Sequence, residues 1–106
     1  MNNEVLDLWT VLCADLARAF AAELPTLDPR DASAVFAELE HLTGEPEPIR
    51  SIVLTGFIEM LVHADASNGG GFNFGLFAYH VGPRCRRYIR AYGELTGATT
   101  RGFETV

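Results

Sequence analysis

Apolar residues recur at intervals of three and four along most of this chain, and that period constrains the fold more than any other feature. In the first segment, Val5, Trp9, Leu12, Leu16 and Phe20 fall on a single helical stripe. The spacing predicts a helix over about residues 4–23 whose stripe faces the core. No segment shows the alternating pattern of a strand, so we predict an all-α protein.

A second helix is indicated by its start signal and its end signal. Asp28 is placed to cap the helix and Pro29 follows at the first helical position, where a missing N–H costs nothing. Gly44 is typical of a helix end. The predicted inward face between these signals consists of Ala32, Val35, Phe36, Leu39 and Leu42.

The third predicted helix, about residues 49–64, is apolar over most of its circumference and is therefore expected at the centre of the bundle. The last helix starts at Gly82-Pro83 and runs to Gly97. Its predicted inward face consists of Cys85, Tyr88, Ile89, Tyr92 and Leu95.

Shorter segments connect these helices. Residues 45–48 read as a stiff Pro-rich connector, 67–71 as a glycine-rich loop and 72–80 as a short aromatic-rich helix, while 98–106 read as an irregular tail. A length of 106 residues suits one domain with a modest core. The sequence therefore predicts a compact all-α bundle of four to five helices, with residues 1–106 as a single domain.

The charge is strongly asymmetric along the chain. Residues 1–65 hold twelve acidic and three basic side chains, whereas residues 66–106 hold five arginines and two glutamates. The net charge of −6 argues against a nucleic-acid binder, because phosphate contacts need a dominant positive surface. With no signal peptide or membrane span predicted, we expect a cytoplasmic protein in which Cys13 and Cys85 are free thiols.

The arginines at the start of the last helix need compensation. Arg84, Arg86 and Arg87 lie in its first turn, where a cation opposes the helix dipole. Three sources of compensation stay open, namely the acidic half of the same chain, an acidic partner, or a bound anion. Arg90 lies further along the same polar face, where an ion pair with Glu94 is one interpretation.

Catalytic and metal-binding patterns are weak. A polar strip on the third helix consists of Ser51, Thr55, Glu59 and His63, and its Glu59/His63 pair has the spacing of one helical turn. A solvent-facing strip explains it more simply. No pair of His, Cys or acidic residues has recognised metal-ligand spacing, and no phosphate-binding loop motif is present. We therefore predict no catalytic site, no metal and no cofactor, and hence a protein that is not an enzyme.

The acidic side chains are open to two interpretations, a surface that keeps the protein soluble or a surface complementary to a basic partner. Candidate partner contacts are Glu38, Glu40, Glu45, Glu47 and Glu59, with Arg86, Arg87 and Arg90 as a second candidate face. Other members of the predicted acidic surface are Asp7, Asp15 and Asp65.

Two short motifs resemble a family of small helical bacterial domains. Residues 56–61, Gly-Phe-Ile-Glu-Met-Leu, are similar to that family's Gly-Phe-Leu-Glu-x-Leu on a central helix. Residues 81–88, Val-Gly-Pro-Arg-Cys-Arg-Arg-Tyr, are similar to its Leu-Gly-Pro-x-Ser-Arg-Arg-x-Trp at the start of the last helix. Relatives of this kind look like candidate immunity proteins, which neutralise interbacterial toxins, so the resemblance implies a binding role.

These observations lead to two functional hypotheses. The first is an immunity protein that occludes the active site of a cognate toxin domain, whose basic cleft would accept the acidic side chains. The alternative is a small regulatory module that binds an anionic metabolite or nucleotide at the arginine-rich start of the last helix.

Overall fold

The predicted all-α class is confirmed by a computed structural model, which describes residues 3–66, 72–97 and 100–103. These residues form five α-helices and no strand. The predicted glycine loop over 67–71 and much of the predicted tail lie outside the described residues. The elements are α1 (Asn3–Glu23), a 3-10 helix (Leu24–Thr26), α2 (Pro29–Leu42), α3 (Ile49–Ser51), a π-helix (Ile52–Ile58), α4 (Glu59–Ala66), a second 3-10 helix (Phe74–His80) and α5 (Pro83–Thr96).

Residues 49–66 form one continuous helix, here called the central helix, in which α3 and α4 flank the π-helical segment. In that segment the backbone N–H of Glu59 donates to the carbonyl of Leu54, five residues back. Its central position confirms the prediction from its apolar circumference. The buried residues along it are Val53, Gly56, Phe57, Ile58, Leu61, Val62 and Asp65.

Helix α1 packs on the central helix through a face other than the predicted one. Ala17 and Ala21 of α1 are buried, and the close approach to the central helix lies at Gly56, between Thr10 and Cys13. A Cβ atom at Gly56 would lie 2.8 Å from the Cβ of Cys13 and 2.9 Å from the carbonyl oxygen of Thr10. Small side chains therefore face the central helix, because only they allow the two backbones to approach this closely.

The predicted core stripe of α1 is consequently wrong for most of its members. Trp9, Leu12 and Leu16 are exposed, and only Phe20 reaches the aromatic core. Its ring centroid lies 5.5 Å from that of Phe36 and 5.8 Å from that of Phe57. The periodicity identified the helix but not which side of it is buried.

We expect Gly56→Ala to destabilise the protein by about 1–2 kcal/mol, because the new methyl group overpacks the contact with α1. The gain in helix propensity, about 1 kcal/mol, offsets part of a larger steric cost. Urea denaturation followed by circular dichroism measures the change. Gly97→Ala is a comparison variant whose cost is backbone strain rather than overpacking. Its φ is 77°, and no atom of the described residues lies within 4 Å of the position that a Cβ would take. A Gly56→Ala variant as stable as the parent would contradict the close contact.

The predicted inward face of α5 is confirmed in part. Cys85 and Ile89 are buried, and Tyr88 and Tyr92 pack against the core. Leu95 was predicted to join them and is 84% exposed instead. At 100° per residue Leu95 is rotated by about 120° from Ile89, which takes it off the buried side.

Candidate protein-binding surface

Four of the six large apolar side chains that are exposed on α1 lie side by side. Leu8, Trp9, Leu12 and Leu16 have exposed fractions of 57%, 49%, 47% and 61%, and helical spacing places them on one side of the helix. We call this set the α1 apolar face. A contiguous apolar patch that includes a tryptophan is typical of a protein-binding surface, where aromatic residues are enriched.

A groove continues the α1 apolar face toward α2. It has a volume of about 270 Å³, with Leu16 in its α1 wall, Val35 and Leu39 in its α2 wall and Val53 and Phe57 of the central helix below them. We call it the α1–α2 groove. Its volume is below the range of about 300–1,000 Å³ typical of small-molecule sites, so it suits an apolar side chain of a partner better than a free ligand.

Covering this surface would be energetically favourable. Full burial of a large apolar side chain contributes about 2 kcal/mol, so four side chains that are about half exposed would contribute about 4 kcal/mol when covered. The exposed ion pair between Arg18 and Asp15 lies on the side of α1 next to this face. Helix α1 is apolar both where it packs on the central helix and on this exposed face.

The structure places the five predicted acidic contacts in different settings. Glu38 is exposed and lines the α1–α2 groove. Glu45 lies 3.6 Å from the ring Nε2 of His41. Glu47 accepts hydrogen bonds from the backbone N–H and hydroxyl of Ser51, and the hydroxyl contact lowers the pKa of Glu47. Of these five, all in the described part of the chain, Glu38 is the one whose carboxylate has no hydrogen bond or ion pair.

Glu40 is used inside the fold, as a cap for α5. Its carboxylate accepts hydrogen bonds from the backbone N–H groups of Arg84 at 2.8 Å and Cys85 at 3.0 Å. Gly82, the residue before the helix, has no side chain that could cap these N–H groups. A Cβ at Gly82 would lie 2.5 Å from the Cγ of Glu40, so a larger residue there would collide with the cap.

The cap is reciprocal, because Arg84 returns to the end of α2. Its guanidinium donates to the backbone carbonyl of Glu40 at 2.6 Å and to the hydroxyl of Thr43 at 3.3 Å. We call this arrangement the α2–α5 clasp. Burial raises the pKa of Glu40, but the backbone N–H groups of Cys85 and Arg84 outweigh it and leave that pKa below its usual range. The same setting raises the pKa of the Cys85 thiol to about 12, through burial and the charge of Glu40.

The structure also places the three arginines of the second candidate face in different environments. Arg86 donates to the backbone carbonyls of Ala78 and Gly102, and its guanidinium carbon lies 5.0 Å from the ring centroid of Phe103. Arg87 is exposed. The Nε of Arg90 is buried and has no hydrogen-bond partner in the part of the chain that the structure describes. No ion pair joins Arg90 to Glu94, two residues that the structure describes, so that interpretation is not supported. For Arg84 and Arg86 the compensation is intramolecular.

Glu59 and His63 each meet a tyrosine of α5. The hydroxyl of Tyr88 donates to the carboxylate of Glu59, and the Nε2 of His63 lies 2.6 Å from the hydroxyl of Tyr92. Burial and the hydrogen bond to Glu59 raise the pKa of Tyr88 to about 12. The polar strip was predicted to face solvent, but its C-terminal half, Glu59 and His63, joins the central helix to α5. Glu59 is partly buried there.

The described residues contain neither a metal-binding cluster nor a membrane-spanning helix. No three of their His, Cys, Asp and Glu side chains come together in a way that could hold a metal ion. None of their helices has both the length and the apolar character needed to span a bilayer. Comparison with protein-family models, with curated proteins and with solved structures finds no match for this chain.

One feature of the sequence indicates the α1 apolar face, although the predicted core stripe does not include it. Besides the predicted stripe, the first half of α1 contains Leu6, Leu8 and Val11, so it is apolar on more than one side. A helix that packs on one neighbour cannot bury so many apolar residues, and the excess points to a second contact surface.

Proposed function

We propose that this chain is a protein-binding inhibitor that attaches to its partner through the α1 apolar face and the α1–α2 groove. The observation that carries the proposal is the exposure of Leu8, Trp9, Leu12 and Leu16 beside an apolar groove. Such a surface costs free energy in water and regains it when a partner covers it.

The surface suggests how the partner is held. An apolar side chain of the partner would fill the groove between Leu16 and Leu39, while Trp9 would pack on the partner beside it. Glu38, whose carboxylate makes no hydrogen bond or ion pair with any described residue, lines the groove and would attract a basic side chain. The complementary partner is a protein with an apolar anchor next to positive charge.

We further propose that the partner is the enzymatic domain of a bacterial toxin and that binding in the cytoplasm blocks its basic active-site cleft. The motif resemblance to candidate immunity proteins and the acidic net charge support this part. Glu38 remains in the contact surface, whereas Glu40 serves the α2–α5 clasp and Glu59 bonds to Tyr88.

The alternative function, a regulatory module that binds an anion at the first turn of α5, has less support because the donors at that turn are already used. The backbone N–H groups of Arg84 and Cys85 that would bind the anion already donate to the carboxylate of Glu40. Arg86, the side chain expected to hold the anion, donates to carbonyls within the fold. An anion bound by these backbone N–H groups would have to displace the clasp.

The proposal is tested with a double variant of α1 and a control variant of α5. We expect Leu12→Gln combined with Leu16→Gln to weaken partner binding about 100-fold, because the central anchors of an interface carry most of its energy. Leu95→Gln, on an 84% exposed leucine of α5 away from the α1 apolar face, should change affinity by less than about threefold. Isothermal titration calorimetry measures both effects.

The partner is sought first among products of the neighbouring genes, by co-expression and by rescue of cells that express them. Circular dichroism establishes that each variant keeps its helices. The proposal fails if no such product binds and no toxic product is neutralised. Equal affinities of the Leu12/Leu16 and Leu95 variants would reject the α1 apolar face as the contact surface, even if a partner is found.

A further inference from the structure

A second groove, between the end of α2, the central helix and α5, is lined by three arginines. It has a volume of about 330 Å³, and Arg50, Arg84 and Arg87 lie around it, with no acidic residue among the described residues that line it. We call it the arginine groove. It is separate from the α1 apolar face, since no α1 residue lines it.

The three guanidinium groups are neutralised to different extents. Arg84 lies 3.4 Å from Glu40 in the α2–α5 clasp, and Arg50 lies 3.6 Å from Glu47. Arg87 has no ion pair or hydrogen bond from its side chain to any residue that the structure describes. The groove therefore keeps positive charge that the fold does not use, and Arg87 is its main source.

The chemistry of the lining defines a ligand class. Guanidinium groups bind phosphate and carboxylate oxygens through paired N–H donors. The hydroxyl of Thr43 adds a polar group, while Leu54 and the ring of Tyr88 add apolar surface. The volume falls at the lower end of the range for small-molecule sites, so the organic part of a ligand must be small.

We infer that the arginine groove binds a small phosphate monoester, whose phosphate contacts Arg87 with Arg50 and Arg84 and whose apolar part packs on Leu54 and Tyr88. A phosphate monoester carries nearly two negative charges at neutral pH, which suits three arginines of which two are already partly neutralised. This inference goes beyond the proposed function and does not rest on it, because it concerns a different surface and a different ligand.

The test is titration of the full chain with phenyl phosphate, followed by calorimetry at pH 7.5 and constant ionic strength. We expect saturable binding with a Kd on the order of 1 mM, and weaker binding of inorganic phosphate because it lacks the apolar part. Arg87→Gln should weaken the binding of phenyl phosphate at least about tenfold. Arg30→Gln, which removes an exposed charge near the opposite end of α2, should leave it within twofold.

Several results would overturn the inference. One is the absence of saturation with phenyl phosphate, and another is an equal effect of Arg87→Gln and Arg30→Gln, which would indicate a general effect of net charge. Equal binding of benzoate would reject phosphate as the preferred group, and equal binding of phenol would reject the role of charge. Tighter binding of a tyrosine-phosphorylated peptide would assign the phosphate to a protein rather than to a small molecule. A negative result in any of these titrations does not affect the test of the α1 apolar face.

Discussion

Replacing Asp65 with alanine is expected to destabilise the protein by about 3 kcal/mol, the largest effect that we predict for a single polar side chain. Its carboxylate accepts a hydrogen bond from the buried backbone N–H of Phe74 at 2.9 Å and another from Arg101 at 2.7 Å. Removing it leaves a buried donor without a partner, which costs about 1–3 kcal/mol, and also removes the ion pair. Because the Arg101 side chain is 56% exposed, solvent screening reduces its share.

Asp65→Asn provides the control, because its amide oxygen can still accept the N–H of Phe74 while the charge is lost. We expect a destabilisation of about 1 kcal/mol for Asp65→Asn and a similar value for Arg101→Ala. Urea denaturation at pH 7 followed by circular dichroism gives all three values. If Asp65→Ala costs no more than Arg101→Ala, the bond to Phe74 does not carry the energy assigned to it.

The position of Asp65 also corrects its assignment to the predicted acidic surface. The residue is buried at the C-terminal end of the central helix, where it joins the 3-10 helix that starts at Phe74 to Arg101 in the described segment 100–103. The rings of Phe74 and Phe103 lie 4.9 Å apart beside it. A charged residue therefore fixes the packing of two segments distant in sequence.

The second large effect is expected at the α2–α5 clasp. Glu40→Ala should destabilise the protein by about 2 kcal/mol, because the backbone N–H groups of Arg84 and Cys85 lose a charged acceptor and the helix dipole of α5 loses its compensation. Glu38→Ala, two residues earlier on the same helix and exposed, should change stability by less than about 0.5 kcal/mol. Urea denaturation at pH 7 compares the two variants.

The effect of Glu40 depends on pH with a definite sign. Because its pKa in the folded protein lies below the usual value, its contribution to stability is present above the unfolded-state pKa, about 4.3, and is lost as the pH falls through the folded-state pKa. The difference in stability between the parent and Glu40→Gln should therefore be constant from pH 7 to pH 6 and shrink below about pH 4. A difference that stays unchanged down to pH 3.5 would contradict the charged cap.

The helices themselves could be predicted because their signals are local. Asp28 caps α2 by accepting the N–H of Arg30 at 2.8 Å, Pro83 occupies the first turn of α5, and Gly97 ends it in the left-handed conformation. Each signal depends on neighbouring residues in the chain, so the sequence contains all the information needed. The π-helical widening at Ile52–Ile58 had no such signal.

The partners of charged side chains could not be predicted in the same way. Glu40 meets Arg84 and Cys85 across more than forty residues of sequence, and Glu59 meets Tyr88 across 29. A helical wheel shows on which side of its helix each of these polar residues lies. It does not show which neighbouring helix covers that side. Glu38 and Glu40 look equivalent in sequence, yet one lines an open groove and the other caps α5.

The sequence by itself determined that this protein is a bundle of helices, where those helices begin and end, and that its charge is divided along the chain. Tertiary structure decided which face of each helix is buried, because burial depends on how closely a neighbour can approach. At α1 the absence of a side chain at Gly56 selects the face with Thr10 and Cys13. That choice leaves Trp9, Leu12 and Leu16 in solvent and creates the surface from which a partner is proposed.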